Sequence, residues 1–161
     1  MDNLDERIFA ELDAMNEHGK RTRKLRLRWG SALQPVEIGE YRVIPLTTSS
    51  ELRKEGAVMR HCIGSHDILC AVGSYQVFSI RDQSDQRLAT LSLVLDQHGW
   101  HLDQIKGPEN AEVVFRDETF YSGERTETIR EYTELYYVAQ EIVRQYRLHG
   151  DHLITTTERL A

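Results

Sequence analysis

A chain of 161 residues makes one domain large enough to bury a core. Its formal net charge of −6 and its 40% apolar content exclude wholesale disorder and a protein that coats nucleic acid through its overall field, while leaving room for a local basic patch. The uncharged run Ala71–Ile80 is far too short to cross a bilayer, and the acidic start Met-Asp-Asn-Leu-Asp-Glu offers no secretory signal, so a cytoplasmic protein without membrane contact is expected.

In chain order, Leu4, Ile8, Leu12 and Met15 recur on one face and predict a helix over 3–18, with Asp2 or Asn3 as cap and Gly19 as stop. Lys20, Arg21, Arg23, Lys24, Arg26 and Arg28 follow within nine positions. Leu25, Leu27 and Trp29 alternate with three of them, which predicts a strand with one basic face. Such a strip suits phosphates of DNA or RNA, and equally an edge strand guarded by charge. Residues 36–46 read as a hairpin with Gly39 near its turn, and Pro45 is expected to end the ladder. Thr48 and Glu51 fit a capping box for a helix from Ser49 to about Met59, carrying Leu52 and Met59 inward. Gly56 in its middle marks a close contact or a bend. Gly64 breaks that helix, and a second short one runs to about Val72 and stops at Gly73.

Three strands are expected next, over 74–81, 87–95 and 100–106, separated by Asp82–Gln86 and Asp96–Gly99. Their alternation puts Trp100, Leu102 and Gln104 on one face and His101, Asp103 and Ile105 on the other. Residues 111–126 are ambiguous between strand and helix, with Tyr121-Ser122-Gly123 as loop. Ile129, Tyr132, Leu135, Tyr136, Ala139, Ile142, Val143 and Tyr146 form a stripe that predicts a long helix over 127–148, ended by Gly150 and followed by a polar tail. His149 and His152 belong to that polar end and read as solvent-exposed. The fold class is therefore α+β: a single domain over 1–161, an antiparallel β-meander with packed helices and a long C-terminal helix.

Both cysteines fall in Met59-Arg60-His61-Cys62-Ile63-Gly64-Ser65-His66-Asp67-Ile68-Leu69-Cys70, with two of the seven histidines. Residues 45–110 resemble the PcfJ-like domain of conjugative plasmids and other mobile elements. The resemblance rests on Leu46-Thr47, Leu52, Glu55-Gly56, Met59, His61-Cys62, Gly64-Ser65, Cys70, Gly73, Phe78-Ser79-Ile80-Arg81, Ala89-Thr90-Leu91, Trp100, Gln104, Gly107 and Asn110. It departs at His66, where it implies tyrosine. It implies a bacterial or phage setting, with another protein of the same element as one kind of partner.

Cys62 is the better nucleophile candidate, with His61 or His66 as base and Gln104 and Asn110 to orient it or hold an oxyanion. Cys62, His66 and Cys70 would line one face of an unbroken helix, a possible zinc ligand set, although no cofactor is required by the pattern. In the third reading the stretch is structural: the cysteines are small core hydrophobes, Cys70 above all, and His61 satisfies backbone carbonyls. Two free thiols are expected rather than a disulfide. Three functions follow: an accessory protein acting near nucleic acid through the basic strip, a small thiol-dependent enzyme, or a protein–protein adaptor.

Overall fold

The computed structural model describes residues 26–160; the helix expected at 3–18, together with Lys20, Arg21, Arg23 and Lys24, lies outside the described residues. Five strands form one antiparallel sheet in chain order: β1 (Val36–Ile38), β2 (Tyr41–Leu46), β3 (Tyr75–Arg81), β4 (Arg87–Asp96) and β5 (Gly99–Lys106). Helices α1 (Ser49–Met59) and α2 (Asp67–Ala71) are inserted between β2 and β3. A separate hairpin, β6 (Phe115–Ser122) and β7 (Arg125–Tyr132), precedes α3 (Glu134–Leu160). The architecture is the expected α+β meander with packed helices. Among the described residues no helix is long and apolar enough to cross a membrane.

The sheet is covered on both sides, so β3 is buried along almost its whole length. One face carries Phe78, Ile80, Leu91, Leu93, Trp100 and Ile105 against Val138, Ala139, Ile142 and Tyr146 of α3. Tyr146 meets Phe78 and Trp100 edge-on at 5.8 and 5.0 Å between ring centres. Each such side chain contributes roughly 1.5–3 kcal/mol by leaving water. The opposite face packs Tyr75, Val77 and Leu46 against Leu52 of α1 and Cys70 of α2. Both cysteines are free thiols.

Local sequence explains the insert. Thr48 caps α1 by accepting from the Glu51 amide, while Glu51 Oε2 reaches back to Thr47 N rather than to the cap residue itself. Leu52, Glu55, Gly56 and Met59 all face inward. The helix ends at Arg60 in the left-handed region at φ 55°, whose amide returns to Gly56 O.

Four expectations are corrected. Pro45 does not end its ladder: it pairs with Phe78, and β1 has already left β2 at Val43, so among the described residues no outer strand needs the missing N–H. Residues 26–29 make one bridge, Arg28 to Thr48, instead of a strand, yet Arg26 and Arg28 stay exposed while Leu27 and Trp29 are half-buried. The C-terminal helix starts at Glu134, not 127, because Arg125–Tyr132 pairs with the previously ambiguous Phe115–Ser122, and only Gly123 and Glu124 form the turn. It continues through Gly150, which costs about 1 kcal/mol relative to alanine without being an obligatory stop.

Candidate functional site

The site grows from the way α1 hands over to the turn behind it. A Cβ on Gly56 would sit 3.0 Å from His61 O and 3.1 Å from Gly64 N, so only glycine lets the helix touch that turn. A Cβ on Gly64 would sit 3.3 Å from Arg53 Cα. The two glycines press a one-turn 3-10 helix, Cys62–Ser65, against α1, with Ser65 Oγ donating to Cys62 O at 2.9 Å. His61, in extended conformation, leads into it.

His61 points toward the sheet and joins a buried polar chain. Arg87 Nε lies 2.7 Å from Glu55 Oε2, and Glu55 is fully buried. Thr90 Oγ1 donates to Glu55 Oε1 at 2.7 Å and lies 2.9 Å from His61 Nε2. A hydroxyl has one proton. Because it goes to the carboxylate, Thr90 must accept from His61 Nε2–H. The imidazole is thereby fixed with its lone pair on Nδ1, a buried atom with no hydrogen-bond partner among the described residues. Burial is the main influence on His61 and lowers its pKa, keeping the ring neutral.

The opposite wall is β5, and an irregularity places it. Leu93 pairs with Leu102 but Ser92 pairs with Gln104, so Asp103 is an extra residue, a β-bulge. Strict alternation would have put Gln104 with Trp100 and Leu102. The bulge instead puts Ile105 into the core and turns Gln104 and Lys106, opposite Ser92 and Thr90, toward His61. Asp103 accepts from the Tyr75 hydroxyl and, at 3.4 Å, from Ser92. Tyr75 in turn stacks on His66, with ring centres 5.1 Å apart. Burial, followed by that carboxylate, pushes the Tyr75 phenol above its ordinary range. Asn110, at φ 61°, closes the rim.

The result is a narrow cleft of about 30 Å³ lined by His61, Cys62, His66, Gln104, Lys106 and Asn110 with Ile63, Thr90 and Ser92. That volume is on the order of one water's share of liquid. All five residues expected to carry chemistry, Cys62, His61, His66, Gln104 and Asn110, line it. Cys62 is exposed, whereas Cys70 is buried in the second core cluster, and burial pushes its thiol up to about 12. The zinc set Cys62, His66 and Cys70 is not assembled. The 3-10 turn and the break at His66 destroy the single helical face it required, and among the described residues no three His, Cys, Asp or Glu side chains could hold a metal ion. The contact His61 makes across the cleft is to the Thr90 hydroxyl, through Nε2.

Sequence reasoning missed Glu55, Thr90, Ser92 and Lys106. Glu55 had a signal: a charged residue on the inward stripe of Leu52 and Met59 needs a buried partner. A second concavity, about 460 Å³, lies at the start of α1 and is lined by Arg26, Leu27, Arg28, Thr48, Ser50 and Arg53. It gathers the two described members of the basic strip, and the Leu27 amide is tied there to Ser49 Oγ at 2.9 Å.

A family model described as PcfJ-like protein matches residues 5–120. The chain belongs to this family. The match runs well beyond 45–110 and takes in every strand of the large sheet. No curated protein and no solved structure matches the chain. In this PcfJ-like protein, Glu55, His61, Cys62, Thr90, Gln104 and Asn110, all among the positions that carried the resemblance, converge on one cleft and its buried support. They come from three separate stretches, and folding alone unites them.

Proposed function

We propose that this PcfJ-like protein is an accessory component of a mobile genetic element or phage-related system, working in the cytoplasm beside nucleic acid. The observation that carries this reading is the convergence of Arg26, Arg28 and Arg53 on the groove at the start of α1. Guanidinium groups match phosphate oxygens in pairs, and the positive end of an eleven-residue helix adds to their field. Lys20, Arg21, Arg23 and Lys24 lead into the same strip. With a net charge of −6, attraction to nucleic acid has to be local, hence weak and steeply salt-dependent. The groove also neighbours the cleft, since the Arg53 backbone packs on Gly64 of the Cys62–Ser65 turn.

Titrating single- and double-stranded oligonucleotides at several salt concentrations tests the reading. Binding at low salt is expected. The double substitution R26A/R28A removes two phosphate contacts and should flatten the slope of log K against log salt by about 1.4 to 1.8. No binding at low salt, or a slope unchanged by the double substitution, rejects it.

A further inference from the structure

We propose that His61 and Cys62 form a base–nucleophile pair for acyl transfer, with Thr90 and Glu55 as positioning residues that fix the imidazole. This goes beyond the nucleic-acid reading and does not depend on it. The geometric basis is the tautomer. Glu55 accepts from the Thr90 hydroxyl, Thr90 accepts from His61 Nε2–H, and Nδ1 is left as a lone-pair acceptor without a partner among the described residues. An unpartnered buried acceptor in a native fold calls for a donor. The neighbouring residue on the cleft wall is an exposed thiol. The two are not hydrogen-bonded to each other; such pairs often tighten only around substrate.

The step balances as follows. His61 Nδ1 takes the proton of the Cys62 thiol as the sulfur attacks an acyl carbonyl, forming the S–C bond and placing the electron pair of the C=O bond on oxygen. The imidazolium is stabilised through Thr90 by the Glu55 carboxylate, itself paired with Arg87. Gln104, Asn110 and Lys106 line the same cleft and supply N–H donors for the oxyanion. Collapse expels the alcohol or thiol leaving group, which collects the proton from Nδ1, and leaves a thioester on Cys62. Water, deprotonated by the same Nδ1, then cleaves the thioester to the free carboxylate, and the proton returns to sulfur. The cleft is narrow, about 30 Å³, so the acyl group enters it from a larger molecule that stays outside, and the acyl donor proposed is an ester or thioester, whose leaving group departs without a second acid.

The test uses the full chain and p-nitrophenyl acetate, following nitrophenol release and locating the acetyl group by peptide mass mapping. The expected result is acetylation of Cys62 and not of Cys70, on the order of 100-fold faster than an unstructured cysteine peptide at the same pH. C62S should abolish it and H61Q should lower it by at least about tenfold. T90V should lower it similarly, and T90S, which restores the hydroxyl, should recover it. Circular dichroism confirms that each variant is folded; H61Q and T90S keep the assignment testable if T90V is not. Acetylation of Cys62 at the peptide's rate, or a rate that H61Q leaves unchanged, overturns the pair. A T90S variant that stays slow while folded overturns the role of Thr90.

Discussion

At the scale of single residues, the two sides of the cleft depend on different kinds of necessity. Gly56 is required for space. Alanine there gains up to about 1 kcal/mol of helix propensity but meets two backbone atoms that cannot swing aside. Overpacking of this kind costs about 1–3 kcal/mol, so G56A is expected to be net destabilising in urea titration. G30A, where no atom of the described residues lies within 4 Å, should fall within about 0.5 kcal/mol of the parent. His61 is required for its protonation state. Burial lowers its pKa in the folded protein relative to an unfolded value of about 6.5, so the unfolded chain binds more protons. The sign follows: the His61 contribution to stability is intact above pH 6.5 or so and is lost as pH falls through its lowered folded pKa. Denaturation midpoints measured from about pH 7.5 down to 5 should decline in the parent and decline less steeply in H61Q, with carboxylate titration common to both.

At the scale of elements, the β6–β7 hairpin stands apart from the rest. Most of its residues are exposed, including Phe120, Tyr121 and Ile129, and its root is held where Thr133 bonds Val113 and Val114. A lone two-stranded hairpin is marginal in water. Phe115 and Tyr132 face each other, so a short Gly-Ser turn replacing 116–131 can bridge the gap. That deletion is expected to leave the protein folded with the amide-exchange protection of β3 and β4 unchanged, whereas in the parent the β6–β7 amides should exchange far faster than those strands. The hairpin is also where sequence reading erred. Ile129 and Tyr132 happen to sit three apart, in phase with Leu135 and Tyr136, and so extend the apolar stripe of α3 backwards. The alternating threonines Thr126 and Thr128 pointed to a strand, but a strand declares itself only once its partner is known. The insert was legible for the opposite reason. Its signals, the Thr48 cap, Gly56, Gly64 and Gly73, are all local, and local chemistry decides caps and turns. The cleft lay in between: His61, Cys62, Gln104 and Asn110 could be listed, but the Glu55–Thr90 link spans 35 residues and no periodicity announces it.

At the scale of the whole molecule, the sheet is a wall with unlike surfaces. The α3 side is an apolar core of ordinary kind. The other side buries Thr90, Ser92 and Glu55, polar groups that a fold pays for only when they are paired. Their pairing makes one face of the sheet a conventional apolar core and the other a buried polar network beside the cleft. The bulge at Asp103 sits on the boundary. Without that residue the ladder would run on unbroken, with Leu102 opposite Leu93, Gln104 opposite Ser92 and Ile105 opposite Leu91, the same neighbours as now. Asp103 is thus surplus to strand pairing, and what it contributes is a carboxylate for Tyr75 and Ser92. In evolutionary terms β5 carries one codon that the sheet has no use for. Losing it in frame would leave the architecture standing and silence the two contacts of one carboxylate, a change that insertion and deletion can make in one event and that point substitution can only approximate.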